Sequence, residues 1–192
     1  MCWFSCGAAS AVATKLALEK YKDKNCVIVN EDTGSEHPDN ERFKRECEEW
    51  FGQEVITIKS DKYEPAEDFL DHFHDREIFG YTIEERNRME RFREQNPERF
   101  IECPLIDEGF DKADCLGFLE RVGIELPTMY KLGFHNNNCI GCVKGGAGYW
   151  NKIRKHFPDV FDRMAKQERE LGVAINKSQE NDVRTKIFLD EL

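Results

Sequence analysis

The sequence has no apolar run approaching the roughly 20 residues that a membrane-spanning helix needs, which excludes such a helix in these 192 residues. It holds no internal repeat, no low-complexity tract and no linker-like stretch. The expectation is therefore one domain, large enough to build a core without disulfide staples. The first residues lack the charged region and long apolar stretch of a secretory signal, so the expected compartment is the cytoplasm. Positive charge is also in short supply: 28 Lys and Arg against 38 Asp and Glu give a formal net charge of −10. That balance argues against a broad nucleic-acid-binding face and leaves room only for a local basic pocket.

Cysteine is abundant, with eight residues at positions 2, 6, 26, 47, 103, 115, 139 and 142. Without a secretory signal they read as thiols or metal ligands rather than as a disulfide framework. Cys26 opens the apolar run "CVIVN" and Cys47 lies in a helical pattern, so both read as ordinary buried residues.

The pattern over the first sixty residues alternates between strand and helix. Residues 2–5, 26–30 and 54–58 read as strands; 10–22 and 37–51 read as helices, with Pro38 in the first turn of the second. Short connections between them predict an α/β protein, a doubly wound, mainly parallel sheet flanked by helices. Further helices are expected at 65–73 and 82–95, the latter opening on the capping box Thr82-x-x-Glu85. Arg86, Arg88, Arg91 and Arg93 crowd that helix and read as a solvated face balanced by Glu84, Glu85, Glu90 and Glu94, with an anion-facing cluster as the alternative. A strand near 99–106, a helix over 111–122 stopped by Gly123, helices at 149–157 and 159–172 broken by Pro158, and a short final strand in "VRTKIFLDEL" complete the reading.

Ser5-Cys6-Gly7-Ala8-Ala9-Ser10 stands where the first strand meets the first helix. A helix amino terminus exposes unpaired N–H groups and the positive end of the dipole, so small residues there can seat a phosphate. Ser5, Cys6, Gly7, Ala8 and Ser10 are small enough for backbone amides to approach an anion, and the two serines add hydroxyl donors. A plain strand-to-helix turn is the alternative. In the same way Asp32, Thr33 and Gly34 are good turn and cap residues, and His37 reads as a residue at the start of a helix.

Three stretches in order resemble the adenine-nucleotide alpha-hydrolase superfamily. "SCGAAS" resembles its pyrophosphate-binding loop, and "VIVNEDTGSEHPDN" (27–40) resembles the second-strand signature of the phosphoadenosine-phosphosulfate (PAPS) reductase branch. "GFHNNNCIGCVKGGAGYWNKIRKHFPDVF" (133–161) resembles the cysteine-bearing region of small reductase-like members of bacteria and phages. The resemblance implies a nucleotide-binding core over about 1–106 and a cysteine-bearing helical part over about 107–192. It implies an adenine nucleotide (PAPS, adenosine phosphosulfate or ATP) with phosphates at residues 5–10 and adenosine along 28–34. Asn30, Asp32, Thr33 and Gly34 would line that edge and Glu36 would act beside them.

Departures from the pattern narrow the reaction. Cys6 replaces a glycine, and Ala9 replaces the aspartate of members that release pyrophosphate; alanine cannot help hold magnesium. The Glu-Cys-Gly-x-His segment of PAPS reductases has no counterpart in the final residues Phe-Leu-Asp-Glu-Leu. Cys139-x-x-Cys142 is the alternative centre. With Cys103 and Cys115 it supplies four thiolates for a tetrahedral metal, and the resemblance implies [4Fe–4S] rather than zinc; a redox-active or idle pair at 139 and 142 is the other reading. Lys144, directly after the pair, is the expected phosphate or sulfate contact, within a group that includes Lys131, His135, Lys152 and Arg154. Tyr149 and Trp150 are expected to pack their helix onto the sheet. The expected function is sulfonucleotide reduction or sulfur transfer at Cys139, Cys142 and Lys144, with a redox or sulfur-donor protein as partner. The alternatives are an ATP-dependent adenylylating enzyme and a non-catalytic nucleotide-binding subunit.

Overall fold

The computed structural model describes residues 1–59, 76–180 and 183–192, with the side chains of 178–180 and 183–184 left aside. The helix expected at 65–73 lies outside the described residues. Two compact units emerge, Met1–Gly34 with Pro38–Thr128, and Ser35–His37 with Met129–Leu192. No helix among the described residues is long and apolar enough to cross a membrane.

The first unit is built on a five-stranded sheet of β1 (Cys2–Trp3), β2 (Ile28–Asp32), β3 (Val55–Lys59), β4 (Glu77–Ile78) and β5 (Ile101–Glu102). The spatial order is β3-β2-β1-β4-β5 and every pairing is parallel. The chain steps from β1 outward to β3, then resumes on the other side of β1. The carboxyl ends of β1 and β4 therefore flank the point where the order reverses, where sheets of this kind open a crevice.

Helix α1 (Ala8–Lys20) has no strong apolar stripe because most of it is covered. Ala8, Ala11, Val12, Ala13 and Ala17 are all buried, with Ser10 and Thr14. Its small side chains let it lie close to neighbouring backbone. Helix α2 (Asn40–Phe51) is amphipathic: Phe43, Cys47 and Phe51, four residues apart, are buried, and Gly52 ends it at φ +74°. It begins later than expected, with Asp39 at the cap rather than His37 inside.

Asp39 and Arg42 form a node in this unit. Nε and Nη2 of Arg42 meet the two carboxylate oxygens of Asp39 at 2.8 and 2.9 Å, and Nη1 meets Glu46 at 2.9 Å. The same guanidinium donates to the carbonyls of Glu125 and Leu126, and the Thr128 N–H donates to Asp39 at 2.8 Å. The Arg42 guanidinium holds the Asp39 carboxyl well below the usual carboxylate range despite partial burial. A carboxyl whose folded pKa is depressed adds stability above its ordinary value of about 4 and loses it as pH falls through the folded one. Asp39→Asn should remove this share. The stability gap between wild type and variant in urea should narrow steadily as pH falls below about 4.

After β4, Thr82 opens a 3-10 turn (Ile83–Glu85) that runs into α3 (Arg86–Gln95), and Glu85 accepts from the Thr82 N–H at 3.4 Å. Arg88 pairs with Glu85 at 2.8 Å and Arg93 donates to the Ile101 carbonyl at 2.7 Å, so these two arginines serve local structure. The strand expected at 99–106 shrinks to β5 because Pro104 starts a short helix, α4 (Pro104–Asp107). Helix α5 (Lys112–Arg121) follows, capped by Asp111, which accepts from the Asp114 N–H at 2.8 Å.

The second unit starts within α6 (Thr128–Lys131) and contains α7 (Ala147–His156) and α8 (Pro158–Leu171). Pro158 begins α8 rather than interrupting it. The expected final strand is β7 (Val183–Ile187), which pairs antiparallel with β6 (Asn176–Glu180). The unit has its own core of Met129, Phe134, Trp150, Ile153, Phe161 and Leu189. Trp150 is fully buried in that cluster, where it packs α7 edge-on against Phe161 of α8. Buried Glu168 accepts the N–H groups of Ile175 and Leu189 at 2.5 and 2.6 Å, fixing both ends of the hairpin.

Candidate functional site

The segment between β1 and α1 closes on one oxygen. The Ser5 N–H, the Ser5 hydroxyl and the Gly7 N–H all donate to Ser10 Oγ, at 3.2, 3.2 and 3.3 Å, and Ser10 passes its own proton to the Gly7 carbonyl at 2.9 Å. These inward bonds are longer than the usual value of about 2.9 Å. A charged oxygen at the same focus would draw the donors closer. Gly7 stands at the cap without a side chain, and the first turn of α1 carries no acid, so no carboxylate offsets the positive end of the dipole. Three donors thus converge at a helix start, and Ser10 Oγ receives all three.

Cys6 enters the loop by its backbone. Its φ of +54° is the left-handed conformation that glycine adopts without cost, and among the described residues no other non-glycine residue has it. Its side chain is buried near Cys47, whose thiol is pushed up by burial and then by Cys6. The thiol of Cys6 therefore belongs to the core. Ala8 is buried, Ser5 exposed and Gly7 intermediate.

Two further residues hold the loop from behind. Buried Asn30 donates Nδ2 to the Phe4 carbonyl at 2.8 Å, tying β2 to the last residue before the loop. Gly80, just after β4, was given no role by the sequence. A Cβ on it would come within 2.7 Å of both N and Cα of Ser10 and 2.9 Å of the carbonyl carbon of Ala9. Only glycine lets the chain after β4 lie this close to the first turn of α1.

Asp32 closes the turn after β2. Its Oδ1 accepts from the Gly34 N–H at 2.9 Å and its Oδ2 meets Lys59 of β3 at 3.2 Å. Gly34 sits at φ +75° and Thr33 is exposed beside it. Asp32 thus shapes this turn, as the local reading of Asp-Thr-Gly anticipates.

In the second unit, the Tyr149 hydroxyl organises the Cys139–Cys142 turn. It accepts the N–H groups of Gly141 and Cys142 at 2.9 and 3.0 Å and donates to the Cys139 carbonyl at 2.7 Å. Gly141 takes φ +84°, and Gly145 leaves room for the ring: a Cβ there would lie 2.1 Å from Tyr149 Cδ1. Both cysteines are half-buried. Ser35 and Glu36 meet the turn directly. The Ile140 N–H donates to the Ser35 carbonyl at 2.7 Å, and the Cys139 thiol donates to Glu36 Oε1 at 3.5 Å. His37 lies edge-on to the Phe157 ring at 6.1 Å. Lys144 is exposed, while Arg154 turns to the carbonyls of Leu189 and Leu192 and covers the Phe161 ring.

Cys103 and Cys115, the other two expected metal ligands, are fully buried in the first unit. Burial pushes the Cys103 thiol up to about 11 and that of Cys115 up to about 12, and Cys103 packs with Met89, Ile101 and Ile106. Metal binding requires thiolates. Among the described residues no group of three or more His, Cys, Asp or Glu is gathered for a metal.

Fold and geometry together define an α/β protein whose five-stranded parallel sheet is flanked by helices, compatible with a Rossmann-like arrangement. No protein-family model matches the chain, and no curated protein matches it significantly.

Proposed function

We propose that the first unit binds an adenine nucleotide, with its phosphates on the Ser5–Ser10 loop, and that Cys139 and Cys142 carry out sulfur or redox chemistry on it. On this reading the chain is a PAPS-reductase-like member of the adenine-nucleotide alpha-hydrolase superfamily, and the nucleotide is PAPS, adenosine phosphosulfate or ATP. The observation that carries the proposal is the convergence of three donors on Ser10 Oγ at the start of α1, beside the crevice that the strand order creates.

Closing Cys139 and Cys142 into a disulfide releases two electrons and two protons. Two electrons take the sulfur of a sulfonucleotide to sulfite as its bond to the phosphate oxygen breaks and the nucleotide departs. A redox partner protein then returns the pair to dithiol by exchange.

The test is equilibrium binding of PAPS and ATP to the wild type and to Gly7→Val, whose side chain would cover the amides facing the anion. The expected result is binding by the wild type and at least a tenfold loss in the folded variant. Equal affinity in both would overturn the placement of the phosphates. Pyrophosphate release with ATP would favour adenylylation, against which Ala9 stands. Binding with no turnover of any sulfonucleotide would favour a non-catalytic subunit. Iron and sulfide in stoichiometric amounts, lost in Cys139→Ser/Cys142→Ser, would add the expected [4Fe–4S] cluster to this reading.

A further inference from the structure

We propose that the second unit holds an oxyanion site of its own, a cavity beside α7 that takes free sulfate or inorganic phosphate. The cavity encloses about 230 Å³. Its polar lining is made by His135, Asn136, Asn138, Lys144 and Lys152, beside Phe134, Tyr149 and Gly145–Gly146.

The charge of the lining carries the inference. The chain has ten more acids than bases, 38 against 28, yet two lysines and a histidine line this cavity and, among the described residues, no carboxylate does. Lys144 has no ion pair among the described residues. Lys152 donates to the Gly133 carbonyl and lies over the Phe134 ring at 5.8 Å. That anchors the ammonium while leaving two of its three protons for a ligand. The asparagines can turn amide donors inward. Helix α7 begins at Gly146, a cap without a side-chain bond, and carries no acid in its first turn, which adds to the positive field without creating the site.

Size selects the class of ligand. Pockets for drug-sized molecules run to about 300–1,000 Å³, so this smaller cavity suits a tetrahedral oxyanion with its water. Tyr149 lines the cavity with its ring while its hydroxyl holds the Cys139–Cys142 turn. A bound oxyanion would therefore sit one side chain away from the thiols. The site needs neither the nucleotide loop nor the first unit, so it stands or falls separately from nucleotide binding.

The test is titration of the full chain with sodium sulfate, and separately with inorganic phosphate, at constant ionic strength, followed by amide chemical shifts. Saturable shifts at Gly145, Gly146 and Tyr149 are expected, with at least a tenfold weaker dissociation constant in Lys144→Glu and in Lys144→Ala/Lys152→Gln. Gly7→Val should leave the titration unchanged. Lys144 is exposed, so Lys144→Glu tests the site even if the double variant folds poorly. Shifts that do not saturate, or an affinity unchanged in Lys144→Glu, would mean an adventitious ion only and would overturn the proposal.

Discussion

Replacing Gly80 by alanine should destabilise the protein by about 3 kcal/mol, the upper part of the usual range for overpacking, and should cost nucleotide affinity as well. The new methyl group would meet the N and Cα of Ser10 at 2.7 Å. A flexible side chain could swing aside, but these are backbone atoms in the first turn of a buried helix. Either β4 must retreat from β1 or α1 must shift, and Ser10 Oγ is the oxygen on which the loop converges. Urea denaturation gives the first effect and PAPS or ATP titration the second. Gly34→Ala is the control for stability: nothing lies within 4 Å of its Cβ, so in urea it should show only the cost of a φ of +75°, about 1 kcal/mol. If Gly80→Ala matches that control, the close approach of this chain to α1 is not what holds the loop.

The second large effect is expected at Tyr149. Tyr149→Phe removes one oxygen and leaves two N–H groups and one carbonyl in the thiol turn without their partner. Even with water replacing part of the loss, about 2–3 kcal/mol of local stability should go. Each 1.4 kcal/mol multiplies the open population of the turn about tenfold. Alkylation of Cys139 and Cys142, followed by mass spectrometry, should therefore accelerate by about tenfold or more, while Cys103 and Cys115 stay protected in the first unit. Gly145→Ala should act in the same direction by displacing the ring. Unchanged alkylation in both variants would show that the turn does not depend on the phenol.

Where the pattern was local, the sequence was readable. The apolar run before Asn30 gave β2, the helical pattern around Cys47 gave α2, and Thr82-x-x-Glu85 marked the start of the helical turn before α3. Strand β6 was not legible because its five residues, Asn176 to Glu180, are all polar or charged. Pro104 ended β5 early, since its ring starts a helix more readily than it continues a strand.

The candidate site was legible as a segment but not as a geometry. Small residues at 5–10 pointed to a loop. The left-handed turn at Cys6 and the focus on Ser10 Oγ exist only once α1 is folded. Gly80 looks like any other glycine until β4 carries it against α1. Tyr149 read as a residue that packs its helix onto the sheet; its ring packs against Phe134 and its hydroxyl reaches a carbonyl ten positions back, a contact that no helical period encodes. Asn30 was legible as a residue of the sheet edge, but not its bond to the Phe4 carbonyl, 26 positions back.

The most direct measurement is a crystal structure of the chain with PAPS or ATP bound. The account predicts phosphate oxygens within about 2.7–3.2 Å of the Ser5 and Gly7 N–H groups, with the Ser10 hydroxyl turned from loop acceptor to ligand donor. A nucleotide bound elsewhere, with Ser10 Oγ still receiving the bonds it receives now, would contradict it.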